Sequence, residues 1–319
     1  MHHPAQGAAV PPGSRGIFWP ERRAGFRCYH AAVPSPASAR IPCAVAGALA
    51  AVLASGVAQL ACANKTAPAP LASSAAHKAP EDLVPQVVRS FPHDREAFTQ
   101  GLLFFEGKLY ESTGLAGRSS VRRVDPESGQ VEARTELAAP LFGEGLARVG
   151  SQLFQITWRD GRAFVWDLGG FKKVRDFSYP GEGWGLCHDG RRLVMSDGSD
   201  HLTFRDADSF ARTGDVAVTR GGEPVMKLNE LECVGELVYA NVWMTDSIAR
   251  IDARTGEVTG WIDAAGLLSR DERAGADVLN GIAYVPERGT FFITGKLWPR
   301  LFEVRFVPRA SPPPGEKHP

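Results

Sequence analysis

The 319-residue chain has no excess charge of either sign. Its 36 Lys and Arg balance its 36 Asp and Glu, for a net charge of zero. With no basic stripe, nucleic acid is excluded as a partner. Histidine and cysteine are scarce where they would matter. Between Val84 and Val307 the histidines are His93, His188 and His201, none beside a nucleophile, which argues against a Ser-His-Asp arrangement. No three-ligand spacing points to a metal. Cys187 and Cys233, the cysteines of the same region, lack C-x-x-C spacing, which argues against a zinc or thioredoxin-like site. They are left with two readings, a disulfide in an exported protein or two buried thiols on neighbouring repeats. Helical periodicity is also rare, and the one short helical insertion expected lies within 264–276.

What is abundant is turn chemistry. Gly (34) and Pro (23) run high against 44% apolar residues, which suits a turn-rich all-β protein, a low-complexity segment, or both. Residues 1–40 are rich in Pro, Ala, Ser, Gly and Arg without apolar periodicity and form a low-complexity extension. Residues 41–62 are Ala-rich and nearly uncharged behind Arg40, which reads as an export signal rather than a membrane span. Cys62 after Leu60-Ala61 resembles a lipoprotein box, with Gln59 where the box prefers Leu. Lipidation there would tether the protein to a membrane surface without spanning it. The signal starts far from Met1, and an alternative start at Val33 is one explanation. Residues 63–83 read as a flexible tether and 308–319 as a disordered tail. The expectation is an exported bacterial protein, periplasmic or an outer-membrane lipoprotein, acting as a monomer.

Between 84 and 307 short alternating strands recur with turns between them. Aligning what reads as the first strand of each copy on Leu109, Leu153, Leu193, Val238 and Phe292 gives steps of 44, 40, 45 and 54 residues. That period of strand triplets or quartets is the mark of a β-propeller. The fifth copy stops one strand early, and 86–91 supplies the missing strand. The predicted fold is therefore all-β, a five-bladed β-propeller whose N-terminal strand closes the last blade.

Each copy opens on a similar cassette. These are Phe98-Thr99-Gln100-Gly101-Leu102, Phe142-Gly143-Glu144-Gly145-Leu146, Glu182-Gly183-Trp184-Gly185-Leu186, Leu228-Asn229-Glu230-Leu231-Glu232 and Leu279-Asn280-Gly281-Ile282-Ala283. In a propeller, residues just before the inner strands converge at one mouth of the channel. That gathers Phe98, Gln100, Phe142, Glu144, Trp158, Trp184, Asn229, Glu230, Trp243, Asn280 and Lys296. Each alone has a plain structural reading, the aromatics as packing and the amides as turn caps. Together they describe an aromatic-walled pocket with a single general acid/base, Glu144, whose pKa such surroundings raise toward neutrality, as a proton shuttle requires.

Over roughly residues 85–307 these motifs resemble the glutaminyl-peptide cyclotransferases of the plant and bacterial type. The resemblance also runs through Tyr110-Glu111-Ser112-Thr113-Gly114-Leu115, Ser196-Asp197-Gly198-Ser199, Asn241-Val242-Trp243, Asp277-Val278-Leu279-Asn280 and Thr294-Gly295-Lys296-Leu297-Trp298-Pro299. It implies a five-bladed propeller that needs no metal or other cofactor. It also implies a substrate, peptides or proteins with N-terminal glutamine, which close to pyroglutamate with loss of ammonia. Glu144 matches the catalytic acid/base. Phe98, Gln100, Phe142, Trp158, Trp184, Asn229, Trp243 and Lys296 match the substrate pocket, with Lys296 and Asn229 placed to hold the amide or its oxyanion. The alternatives are a calcium-dependent propeller lactonase and a non-enzymatic peptide-binding propeller.

Overall fold

The computed structural model describes residues 79–310. The low-complexity extension, the export signal with Cys62, the tether up to residue 78 and the tail from 311 lie outside the described residues.

Every regular element described is a strand. After β1 (Glu81–Pro92) come β2 (Thr99–Phe105), β3 (Lys108–Thr113), β4 (Ser120–Val124) and β5 (Val131–Glu136), which form one four-stranded antiparallel sheet. β6 (Gly143–Val149), β7 (Gln152–Thr157), β8 (Arg162–Asp167) and β9 (Lys173–Ser178) form the second. β10 (Leu186–His188), β11 (Leu193–Met195), β12 (His201–Arg205) and β13 (Arg212–Ala217) form the third, followed by a two-stranded pair, β14 (Thr219–Arg220) and β15 (Glu223–Pro224). β16 (Leu228–Val234), β17 (Leu237–Val242), β18 (Ser247–Asp252) and β19 (Val258–Asp263) form the fourth unit. β20 (Leu279–Val285), β21 (Thr290–Gly295) and β22 (Arg300–Pro308) form the fifth, with β1 as its outer strand.

The first strands of the units touch in a closed cycle, β2 to β6 to β10 to β16 to β20 and back to β2. The core follows from that ring. Each sheet buries its two faces against its neighbours, so the apolar residues fall into five clusters, one at each junction. Leu103, Val121, Leu153 and Trp166 join the first and second units, and Phe154, Ile156, Leu193 and Phe210 the second and third. Val194, Leu202, Leu231 and Val238 join the third and fourth, and Ile248, Ile262, Ile282 and Ile293 the fourth and fifth. Phe91, Leu109, Val285 and Phe292 close the ring between the fifth and first. This is a β-propeller. Cys187 on β10 and Cys233 on β16 form a disulfide across the third junction.

Two expectations change. β1 is longer than 86–91. It pairs antiparallel with β22 along its length, and Glu81, Asp82 and Leu83 also run parallel to Gly260, Trp261 and Ile262 of β19. Leu83 is 2% exposed, so the last residues assigned to the tether are part of the core. At the other end β22 reaches Pro308, and Arg309 is tied to Asp82 and Asp263. The helical insertion within 264–276 is a series of turns. Ser269 and Glu272 exchange the bonds of a capping box, and Arg273 N–H reaches the Ser269 carbonyl at 3.0 Å. Gly275, at φ 83°, then turns the chain away before a second helical turn can form. So short a start does not outweigh the cost of nucleation.

Candidate active site

The inner strands do not pair regularly where the cassettes lie. The β2/β3 ladder slips between Thr99 and Gly101, β6/β7 between Gly143 and Leu146, β16/β17 between Leu228 and Leu231, and β20/β21 between Leu279 and Ile282. A bulge takes a residue out of alternation and re-aims its side chain. Here the released residues are Gln100, Glu144, Asn229 and Asn280. In the third unit the ladder begins at Leu186, and Trp184 stands just outside it, with its N–H on the Ser196 carbonyl. The glycines of the cassettes follow from the crowding at the axis. A Cβ on Gly145 would strike the backbone of Gly185 and Leu186, and one on Gly185 would strike the Asn229 carbonyl. In the fourth cassette Glu230 takes the glycine's place. Its carboxyl accepts the backbone N–H groups of Leu102 at 3.1 Å and Ile282 at 2.8 Å.

The bulges build a buried polar floor. Gln100, Glu144, Asn229, Asn280 and Lys296 are each 5% exposed or less. Asn280 Nδ2 donates to Gln100 Oε1 at 3.2 Å, and Gln100 Nε2 donates to Glu144 Oε1 at 3.1 Å. Two amides in series thus fix the carboxyl's orientation. The Asn229 carbonyl accepts the Ser196 hydroxyl at 2.7 Å, while its side-chain Oδ1 is buried without a partner among the described residues. A buried acceptor left unpaired is costly, so such an atom marks a place for a donor from outside.

Burial pushes the Glu144 pKa well above the ordinary carboxylate range, with Lys296 opposing and Glu182 adding to the rise. Burial lowers the Lys296 pKa, while Glu144 and Asp277 oppose the fall. Desolvation disfavours both charged forms and so brings the two groups toward each other in proton affinity.

Above the floor stands an arc of rings. Lys296 Nζ lies 5.0 Å from the centre of the Phe98 ring. Phe98 meets Phe142 edge-on at 6.1 Å, and Phe142 meets Trp158 at 5.5 Å. The Trp158 and Trp184 indole N–H groups both donate to Glu182 Oε2, at 2.8 and 3.0 Å. Trp184 then meets Trp243 edge-on at 5.4 Å. Phe142 and the three tryptophans are half-buried, so the arc is a collar open to solvent on one side. A missing side chain makes room for it: a Cβ on Gly114 would strike both the Phe142 ring and Gln100.

All nine residues picked out by the sequence fall on this floor or collar. Two that belong with them were not among the nine. Asn280 was gathered with the mouth residues, and its bond to Gln100 places it in the floor. Glu182 stood in its cassette beside Trp184, but nothing in the sequence says that one carboxylate would hold two indoles. Trp166 and Trp298, by contrast, are buried packing. A groove of about 330 Å³ lined by Glu182, Ser196, Asp197 and His201 adjoins the collar over the third unit. Among the described residues no group of three or more His, Cys, Asp or Glu side chains could hold a metal ion.

A family model described as glutamine cyclotransferase matches residues 56–306. The glutaminyl-peptide cyclotransferase of Arabidopsis thaliana is 44% identical over 226 residues, which is 69% of this chain and 70% of that protein. The crystal structure of Myxococcus xanthus glutaminyl cyclase is also 44% identical. It superposes with a TM-score of 0.65 over 72% of this chain and all of that one.

Proposed function

This chain belongs to the glutamine cyclotransferase family and converts N-terminal glutamine to pyroglutamate, and we propose that Glu144 moves the proton on which that reaction turns. The carrying observation is a buried carboxyl, oriented by Gln100 and raised in pKa, at the base of an aromatic collar.

A peptide α-amine is largely protonated below its pKa of about 7.7–8.0 and cannot attack in that form. Glu144, as carboxylate, takes the proton through the oxygen not held by Gln100. The amine nitrogen then bonds to the γ-carboxamide carbon of its own side chain, forming a five-membered ring and a tetrahedral oxyanion. Glu144 gives its proton to the amide nitrogen and takes the second proton of the ring nitrogen. The oxyanion re-forms its C=O, the C–N bond to the amide nitrogen breaks, ammonia leaves, and Glu144 releases the proton it holds to solvent. Proton transfer of this kind is worth about 10²–10⁴-fold. The rest of the site suits the substrate's donors and acceptors. Asn229 Oδ1 awaits an N–H, and Lys296 can donate to the oxyanion. The collar presses the side chain back on its own amine, which replaces a search by a preset approach. No step uses a metal, and the carboxylate cluster that a calcium-dependent lactonase needs is absent among the described residues.

Ammonia release from an amidated Gln-dipeptide, with chelator present, tests this. Glu144→Gln is expected to lower kcat by about 10²–10⁴-fold with an unchanged circular dichroism spectrum. A variant within threefold of wild type would remove Glu144 from the proton path, and activity lost to the chelator would remove the metal-free route.

Export and lipid attachment at Cys62 complete the proposal. They rest on residues 41–62 and are supported by the Cys187–Cys233 disulfide, which suits an oxidising compartment. Mass spectrometry of the membrane fraction should find a diacylated Cys62; a product cleaved elsewhere and soluble removes the anchor.

A further inference from the structure

Two of the chain's four methionines, Met226 and Met244, are 52% and 61% exposed, the most exposed large apolar side chains among the described residues. Unpaired apolar surface of this kind needs a reason, and their position supplies one. Leu228 faces Val242 across β16 and β17, and the next step outward is a bond from Trp243 N–H to the Lys227 carbonyl at 2.9 Å. Met226 and Met244 therefore follow on two segments that leave the sheet side by side. Each is one residue from the collar's edge: Met244 follows Trp243, and Met226 precedes Lys227, whose ammonium lies 5.8 Å from the Trp243 ring centre. Lys227 N–H also binds the Gly198 carbonyl at 2.9 Å, and the Trp184 ring packs over Gly198. The segments are thus pinned to the collar from both sides.

The backbone here is strained. Lys227 and Met244 hold φ values of 66° and 67°, in the left-handed region that residues with a side chain enter at a cost. Such conformations persist where surrounding contacts enforce them, and they gather at binding sites.

We infer that Met226, Met244 and the outer edge of Trp243 form a shelf that binds the side chain of the residue following the N-terminal glutamine. This rests on the cyclase reading of the floor. With the glutamine's amine and side chain drawn down to Glu144, the peptide must leave through the open side of the collar, and the shelf continues the collar's wall outward. The occupant is apolar by the shelf's own chemistry. Methionine is unbranched and polarizable, and it adapts to side chains of different shape. The shelf therefore favours Leu, Phe or Met as a class over Gly or charged residues, without selecting one shape.

Kinetics on the full-length protein test this with the amidated dipeptides Gln-Leu and Gln-Gly, the amide removing a carboxylate that Lys227 would otherwise attract. Wild type is expected to turn over Gln-Leu with a KM about 3–10-fold below that for Gln-Gly, the scale of a partly buried aliphatic side chain. Met226→Ser with Met244→Ser should raise KM for Gln-Leu to that for Gln-Gly, leaving kcat and all Gln-Gly constants unchanged. Equal KM values in wild type, or a double variant that keeps the preference, overturn the shelf. So does a double variant that loses both substrates alike. Ammonia from neither substrate in wild type overturns the cyclase reading itself, a result distinct from any of these.

Discussion

Two buried carboxyls, 33 positions apart, are held in opposite ways. Glu111, on β3, is 1% exposed, and Glu144, on β6, is 5% exposed. Glu111 accepts Thr99 Oγ1 at 2.6 Å and His93 Nε2 at 3.2 Å on one oxygen. Its other oxygen accepts Arg122 Nε–H at 2.8 Å and lies 2.7 Å from Nη2 of the same guanidinium as an ion pair. Burial raises its pKa, but Arg122, His93 and Thr99 together overcome that and hold it far below the usual range. Glu144 has a neutral amide as its neighbour and a lysine acting through space, and there burial wins. Depth alone therefore does not make a proton shuttle. A carboxyl with a hydrogen-bonded guanidinium is a structural anion. One denied such a partner has its proton affinity raised by burial.

The largest effect expected from breaking this contrast is on stability. Glu111→Gln leaves Arg122 buried beside a neutral group, and removing one partner of a buried pair costs about 3–5 kcal/mol. Urea unfolding should show that loss, while the molecules still folded keep the wild-type pH–rate profile. The same pair has a pH signature. A depressed carboxylate stabilises the fold above its unfolded pKa near 4.5, and that contribution is lost as the pH falls.

Next in size is the removal of the cation that acts on Glu144. Lys296→Met takes away a charge that lowers the Glu144 pKa and, on the proposed mechanism, a donor to the oxyanion. The value of kcat should fall by roughly 10²-fold. The acid limb of kcat/KM should move to higher pH, because Glu144 then ionises later. A fall in kcat with an unmoved limb would show that Lys296 does not tune the carboxyl.

The smallest effect belongs to a third carboxyl. Glu232 lies one turn of the alternation beyond Glu230 on β16. Its pKa is raised to about 8 by burial, against opposing bonds from the Tyr284 and Cys233 N–H groups. The folded protein then keeps a proton that the unfolded chain releases near pH 4.5, so this group's contribution to stability falls as pH rises between those values. Glu232→Gln should flatten that slope and raise Tm at pH 9 by a few degrees, at about 2–4 °C per kcal/mol for a domain this size. A Tm difference between pH 5 and pH 9 identical to wild type would place the proton elsewhere.

Much of this was legible in the order of residues. The propeller shows in the repeat of strands, because each unit buries the same two faces and so repeats the same alternation. The site shows in the cassettes, because a glycine beside a polar residue before an inner strand marks both a close approach and a released side chain. The helical insertion was misread because a capping box starts a helix but does not lengthen one. The reach of β1 back to β19 was not legible because 81–83 has no pattern of its own apart from Leu83.

The sequence by itself determined the repeats, and that polar and aromatic groups from them, Glu144 included, would meet at one mouth. Those are consequences of local patterning, repeated. What only the tertiary structure decided is which buried carboxyl is charged. The sequence Tyr110-Glu111-Ser112 does not say that Arg122 will lie across the next strand, and Phe142-Gly143-Glu144 does not say that no arginine will. Proton affinity is set by the few ångströms around a group, and in a propeller those ångströms are supplied by strands far apart in the chain.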